Sequence, residues 1–229
     1  SDDARGTFGW GMSASGLAAV WATENTREAI VAAMRRREVY ATSGPRIAVR
    51  TYGGLNLPPK VLETRGFPDS IQTQAVPMGG EIMGAGVGDR FSLAIEAQAD
   101  PKSGHLDRIQ VVKGWIDATG QTQERVYDAA WSGDDRLLPD GALAAVGSSV
   151  DLNTGLTANT IGSPRLTAVW QDPEFDPAQS AFYYVRVLQI PTARHSLLDK
   201  LALGNEDIDT RRPDTIQERA YTSPIWYRP

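Results

Sequence analysis

The chain has 229 residues, 41% of them apolar, with 28 acidic against 23 basic side chains and a formal charge of -5. That length is enough for a buried core in one or two domains. The well-mixed charges exclude a basic stripe for nucleic acid or a polybasic membrane patch, and no apolar run is long enough to form a spanning helix. Cysteine is absent, which removes disulfides and thiolate nucleophiles and leaves a soluble protein of either the periplasm or the cytoplasm as the expectation.

The chain opens at Ser1-Asp2-Asp3 without methionine, as expected of a processed product or a fragment. Its first 22 residues, with Gly9-Trp10-Gly11 and Ser13-Ala14-Ser15-Gly16, are too glycine-broken for a helix interior and predict an irregular approach. Asn25 and Glu28 have capping-box spacing, so a helix is predicted from there to about Glu38, burying Ala29, Ile30, Ala33 and Met34. Arg35, Arg36 and Arg37 would then complement its C-terminus as a solvated helix end.

From Arg46 the pattern changes to period two. Residues 47–49, 91–97, 109–115, 125–131, 143–150, 166–170 and 182–190 read as strands, separated by Pro- and Gly-rich turns at Pro58-Pro59, Met78-Gly79-Gly80, 84–88 and 100–104. In the first of the long strands Phe91, Leu93, Ile95 and Ala97 alternate with Ser92, Ala94, Glu96 and Gln98. The expected fold is therefore mainly β: an antiparallel β-sandwich-like body over 46–229, preceded by a loop and capped helix over 1–45. Pro191 should end the last long strand. The charged stretch 199–219 reads as a surface excursion before the chain returns at Ile225-Trp226-Tyr227.

Chemistry is sparse. His105 and His195 are far apart, and no HExxH or thiolate set exists for zinc. Asp172, Glu174 and Asp176 alternate in a loop that could turn carboxylates toward a hard cation, although the spacing is not that of an EF-hand; Asp134-Asp135 is a second acidic pair. The glycines from 79 to 88 precede a strand rather than opening a helix, which disfavours nucleotide binding. Thr42-Ser43-Gly44-Pro45-Arg46, read as a helix-to-strand link, offers two hydroxyls and a guanidinium able to hold an oxyanion, with Arg46 the first choice. Trp115, Trp131, Trp170, Tyr183 and Trp226 fall in or beside strands, where they serve either as core plugs or as a platform for sugar.

Several of these segments together resemble a known family. Asn25 to Ile30, Arg36 to Arg46, Leu106 to Gly114, Ala130 to Gly133, Phe182 to Pro191, Thr215 to Ala220 and Ser223 to Tyr227 resemble the C-terminal part of the bacterial domain-of-unknown-function family numbered 3604. The first portion of that family is similar to the polymerase and histidinol phosphatase (PHP) metal-dependent hydrolases. The resemblance implies that a missing N-terminal region carries the histidines and acids that bind a divalent metal. It also implies that the opening helix here completes the hydrolase barrel, and that Thr42, Ser43 and Arg46 border its active site. No cofactor is expected in this chain itself, which would be an accessory segment inactive alone toward an unidentified small-molecule substrate. The alternative is a stand-alone sandwich that binds carbohydrate or protein.

Overall fold

The computed structural model describes residues 16–204 and 212–229. The chain runs β1 (Leu17–Val20), α1 (Arg27–Arg35), β2 (Val39–Thr42), β3 (Ala48–Leu55), β4 (Ala75–Pro77), β5 (Glu81–Met83), β6 (Phe91–Gln98), β7 (Leu106–Ile116) and β8 (Thr122–Trp131). It continues through β9 (Arg165–Gln171), β10 (Ala181–Gln189), β11 (Thr192–Ala193), α2 (His195–Leu203), β12 (Thr215–Ile216), β13 (Arg219–Thr222) and β14 (Ile225–Arg228).

The strands form an eight-stranded sheet, a four-stranded one and a two-stranded ribbon of β11 and β12, and none closes into a barrel. In the larger sheet β10 is the hub. Its whole length pairs with β7, which pairs in turn with β8. On its other side Arg186 to Leu188 pair with β13, which continues to β2 and β1, whereas Ala181 to Tyr183 pair with β14, which continues in parallel to β5. The smaller sheet has the antiparallel order β4-β3-β6-β9.

Alternation becomes packing along β10, but β6 departs from the alternation read in its sequence. Ser92 and Ala94, expected on the outer face, are as buried as Phe91, Leu93 and Ile95, because Leu57, Val61 and Ile71 cover that side at Ala94. Along β10, Tyr183, Val185 and Val187 are buried while Phe182, Tyr184 and Arg186 face outward. They meet Ile109 and Val111 of β7, Phe91, Leu93 and Ile95 of β6, and Ile225 and Tyr227 of β14 in one core. Phe91 stacks on Tyr183 with centroids 3.9 Å apart. Leu57, Val61, Ile71 and Ala75 form a second, smaller core over Ala94. The mainly β, two-sheet expectation is thus met, as are the turns at 58–59, 78–80, 84–88 and 100–104.

Local expectations needed correction. The N-cap of α1 is Thr26, not Asn25: Thr26 has the extended backbone a cap requires, and its Oγ1 accepts from the Ala29 N–H at 3.3 Å. The helix ends at Arg35 because Arg37 takes a left-handed φ of 63°. Of the predicted apolar face only Ala33 is buried. Residues 143–150 form no strand; Gly147 at φ 84° breaks the run, leaving single bridges from Leu143 to Leu137 and from Val150 to Thr157. Leu17–Val20, expected to be irregular, pairs with β2, and α2 occupies the start of the expected surface excursion. The glycine-rich motifs at 9–11 and 13–15 lie outside the described residues.

A cleft at one end of the sandwich

The segment singled out in the sequence, 42–46, links β2 to β3 and so crosses from one sheet to the other. It is not a helix-to-strand link, because Val39-Tyr40-Ala41-Thr42 already forms a strand before the turn. Thr42 is buried, and its Oγ1 has no hydrogen-bond partner. Ser43 is pinned to β13. Its N–H donates to Arg219 O at 2.9 Å, its Oγ accepts from Arg219 N at 2.8 Å, and the same hydroxyl donates to the Glu218 carboxylate. Arg46 is exposed, and its backbone N–H donates to Asp100 Oδ2 at 2.8 Å.

Gly44 and Pro45 form one wall of a cleft of about 620 Å³, completed by the turn at 100–104, β11, the first turn of α2, β12 and Glu218. Lys102, Arg194 and His195 are its basic members, and Asp100 and Glu218 its acidic ones. Burial pushes the Asp100 carboxyl up. The N–H groups and charges of Arg46 and Lys102 outweigh that and hold it below the usual carboxylate range. Three of these groups already have partners: Asp100 fixes its own turn, Glu218 holds the Ser43 hydroxyl, and Arg194 Nε donates to Pro213 O at 2.9 Å, leaving its terminal amino groups to face a ligand. A serine fixed between an amide donor and a carboxylate is a positioned polar contact. The cleft can accordingly bind a small polar or anionic molecule through Lys102 and Arg194.

The carboxylates suggested for a cation lie elsewhere and have other partners. Asp172 is buried with Lys113, whose Nζ lies 2.6 Å from its Oδ2, and accepts from Tyr183 Oη at 2.7 Å. Burial and the neighbouring Asp172 carboxylate push the Tyr183 phenol well up, so it remains a donor. Glu174 pairs with Arg125 and accepts from Tyr127 Oη at 3.0 Å, and Asp176 accepts from the Ala178 N–H at 2.8 Å. Among the described residues no three His, Asp or Glu side chains are grouped to hold a metal. His105 does not reach the cleft; its N–H donates to Asn159 Oδ1 at 2.9 Å and its Nδ1 is buried without a partner. Asp134 and Asp135 are exposed in a single helical turn.

The aromatics divide. Tyr183 is core and Trp170 packs on Tyr127 at 5.1 Å. Trp115 and Trp226 line a second groove, of about 1030 Å³, together with Phe182, Glu124, Asp176 and Gln179. Phe182 lies directly across from Gly114, where a Cβ would come within 2.2 Å of its ring, so the glycine is what lets the ring lie flat on the sheet. Sequence reasoning missed Lys113 and Glu218. Lys113 had a signal, since it shares strand parity with Ile109 and Val111 and must point inward; Glu218 had none, its partner Ser43 lying 175 residues away.

Among the described residues no helix is long and apolar enough to cross a membrane. The chain matches the family model described as "Protein of unknown function (DUF3604)" over residues 1–229. No curated protein and no solved structure matches it.

Proposed function

This chain belongs to that family of unknown function, and from that premise we propose that it is the C-terminal accessory part of a metal-dependent hydrolase, with the catalytic metal held by an upstream region. The observation that carries the reading is the open face of α1. Val31 and Met34 are three positions apart, on one side of the helix, and are 39% and 52% exposed, while only Ala33 is buried. A helix that turns Val31 and Met34 to solvent while Ile30 is half-buried is suited to receive the upstream region on that side. The carboxylates Asp172 and Glu174 are engaged by Lys113 and Arg125, so they do not fit a metal centre and no catalytic step is assigned to them. Thr42 and Ser43 do not line the end cleft themselves but anchor its Gly44-Pro45 wall, and Lys102 and Arg194 there favour an anionic small-molecule substrate.

The test compares the chain with the longer product of its gene. The longer protein should bind divalent metal stoichiometrically and hydrolyse phosphoesters, and residues 27–35 should gain amide-exchange protection in it. Metal binding and turnover by the 229-residue chain alone would refute the reading.

The groove of Trp115, Phe182 and Trp226 favours a second reading, a binding module for carbohydrate. Saturable binding of an oligosaccharide that is lost in Trp115→Ala would support it; no binding across a glycan panel would remove it.

A further inference from the structure

On the outer face of the smaller sheet, Arg50 of β3 stands opposite Glu96 of β6, the pairing that would ordinarily neutralise it. Glu96 instead gives its carboxylate to Arg165, at 2.9 Å. The Arg50 guanidinium lies over the Trp21 ring at 3.9 Å, and its Nε is sealed from solvent with no acceptor. Trp21 is itself fixed by donating from Nε1 to Val49 O at 2.9 Å. A guanidinium has five donors in a fixed fork, and ring stacking satisfies none of them.

This arginine lines a cavity of about 340 Å³ where three segments converge: Trp21 to Thr23 with Arg36 and Glu38, β3 with Thr51 and Tyr52, and the excursion carrying Pro68, Asp69 and Gln72. Its volume falls at the low end of the roughly 300–1,000 Å³ typical of small-molecule sites. The other charges in it are partly committed: Arg36 pairs with Glu38 at 2.6 Å, and Asp69 Oδ1 accepts from Gln72 Nε2 at 2.9 Å. Burial pushes the Tyr52 phenol up, more than the nearby Arg50 charge pulls it down, so it is a neutral hydroxyl beside the arginine.

We propose that this cavity binds the carboxylate group of a small molecule, with Arg50 as the gripping residue and Trp21 as the plate that holds its guanidinium in plane. The two terminal amino groups of the planar guanidinium match a carboxylate bidentately, the Nε being sealed off, and the Asp69 and Glu38 charges in the same cavity disfavour a dianion such as phosphate. The site is separate from the end cleft and does not depend on the hydrolase reading.

The experiment is a titration of the isotope-labelled 229-residue chain with acetate and, separately, with inorganic phosphate, following the assigned Trp21 indole and Arg50 Nε–H resonances. Acetate should shift both saturably and bind more tightly than phosphate. Arg50→Lys, which keeps the stem and the charge, should weaken acetate binding about tenfold or more because the fork becomes a point contact. Arg125→Lys, in the exposed pair on the other sheet, should leave it unchanged, and the amide spectrum of each variant reports whether the fold is intact. Absence of a saturable shift, tighter binding of phosphate, or equal acetate affinity in folded Arg50→Lys would each overturn the proposal.

Discussion

At the scale of single residues, the most consequential feature is the charge pair inside the sandwich. Lys113 and Asp172 have side chains 4% and 0% exposed, so each would be an unpaired buried charge without the other. Asp172 also accepts from Tyr183 and, through Oδ1, from the Glu174 N–H, while Glu174 O accepts from Lys113 Nζ. Asp172→Ala is therefore expected to destabilise the fold by about 3–5 kcal/mol in chemical denaturation. Replacing both members, as Lys113→Met with Asp172→Leu, should recover most of that, because an apolar pair leaves no charge uncompensated. The exposed pair of Arg125 and Glu174, with side chains 53% and 49% exposed, should matter far less when removed, because water screens it. If Asp172→Ala costs no more than loss of that surface pair, the buried network is not holding the sheets together. The same two acids looked equivalent as cation candidates in the sequence; what separates them is solvent access, and the parity of Lys113 in β7 was the legible clue.

At the scale of elements, the hairpin of β7 and β8 runs from Arg108 opposite Trp131 to Ile116 opposite Thr122 with one register shift, and its turn has its own electrostatic lock. Asp117 Oδ1 accepts from Thr119 Oγ1 at 2.6 Å and from the Gln121 N–H at 3.0 Å, and its Oδ2 accepts from Gln123 Nε2 at 2.7 Å. These contacts, the Thr119 hydroxyl first, hold the carboxyl at about 2, against an ordinary value of 3.8. A carboxylate whose folded value is depressed stabilises the fold above its unfolded value and loses that contribution as pH falls through the folded one. The turn should thus stay locked at pH 4 and open between roughly pH 4 and pH 2. A carbon-detected titration of the Asp117 carboxyl should inflect near 2, with the Thr119 and Gln121 amides moving alongside; an inflection at the ordinary value would show the lock absent. Elements of this kind were readable where a strand has one wet face, as in 182–190; strand 91–97 was readable from its apolar positions alone, since Ser92 and Ala94 on its other face are buried too. Short strands were not. Ala75–Pro77 and Glu81–Met83 each hold three residues, too few for a period to declare itself, and exist because neighbouring strands offer an edge. The run 143–150 had the composition of a strand and no such partner.

For the whole molecule, the question is whether the opening 45 residues are an attachment or part of the sandwich. β2 is hydrogen-bonded to β13 at Thr42, Ala41 and Tyr40, Ser43 is tied to Glu218 and Arg219, and Trp21 donates to Val49 O in the opposite sheet. None of these links could be read from sequence, since each joins positions with no shared local pattern, and the sheet order is set by which edges remain free on β10. Their consequence is that residues 17–42 complete the edge of the larger sheet. Without them Ala220, Tyr221 and Thr222 of β13 would lose their partner strand, and a bare edge invites pairing with other chains. The full chain is accordingly expected to unfold in one thermal transition, with near- and far-ultraviolet signals coinciding. A version beginning at Arg46 should be aggregation-prone and melt lower. Should residues 46–229 alone instead give a dispersed amide spectrum and an unchanged midpoint, the edge contacts would be ornamental to the fold, and α1 would be free to pack elsewhere. Retention of the contacts has the opposite implication: an upstream partner docking on Val31 and Met34 would couple directly, through β2 and Ser43, to the wall of the end cleft.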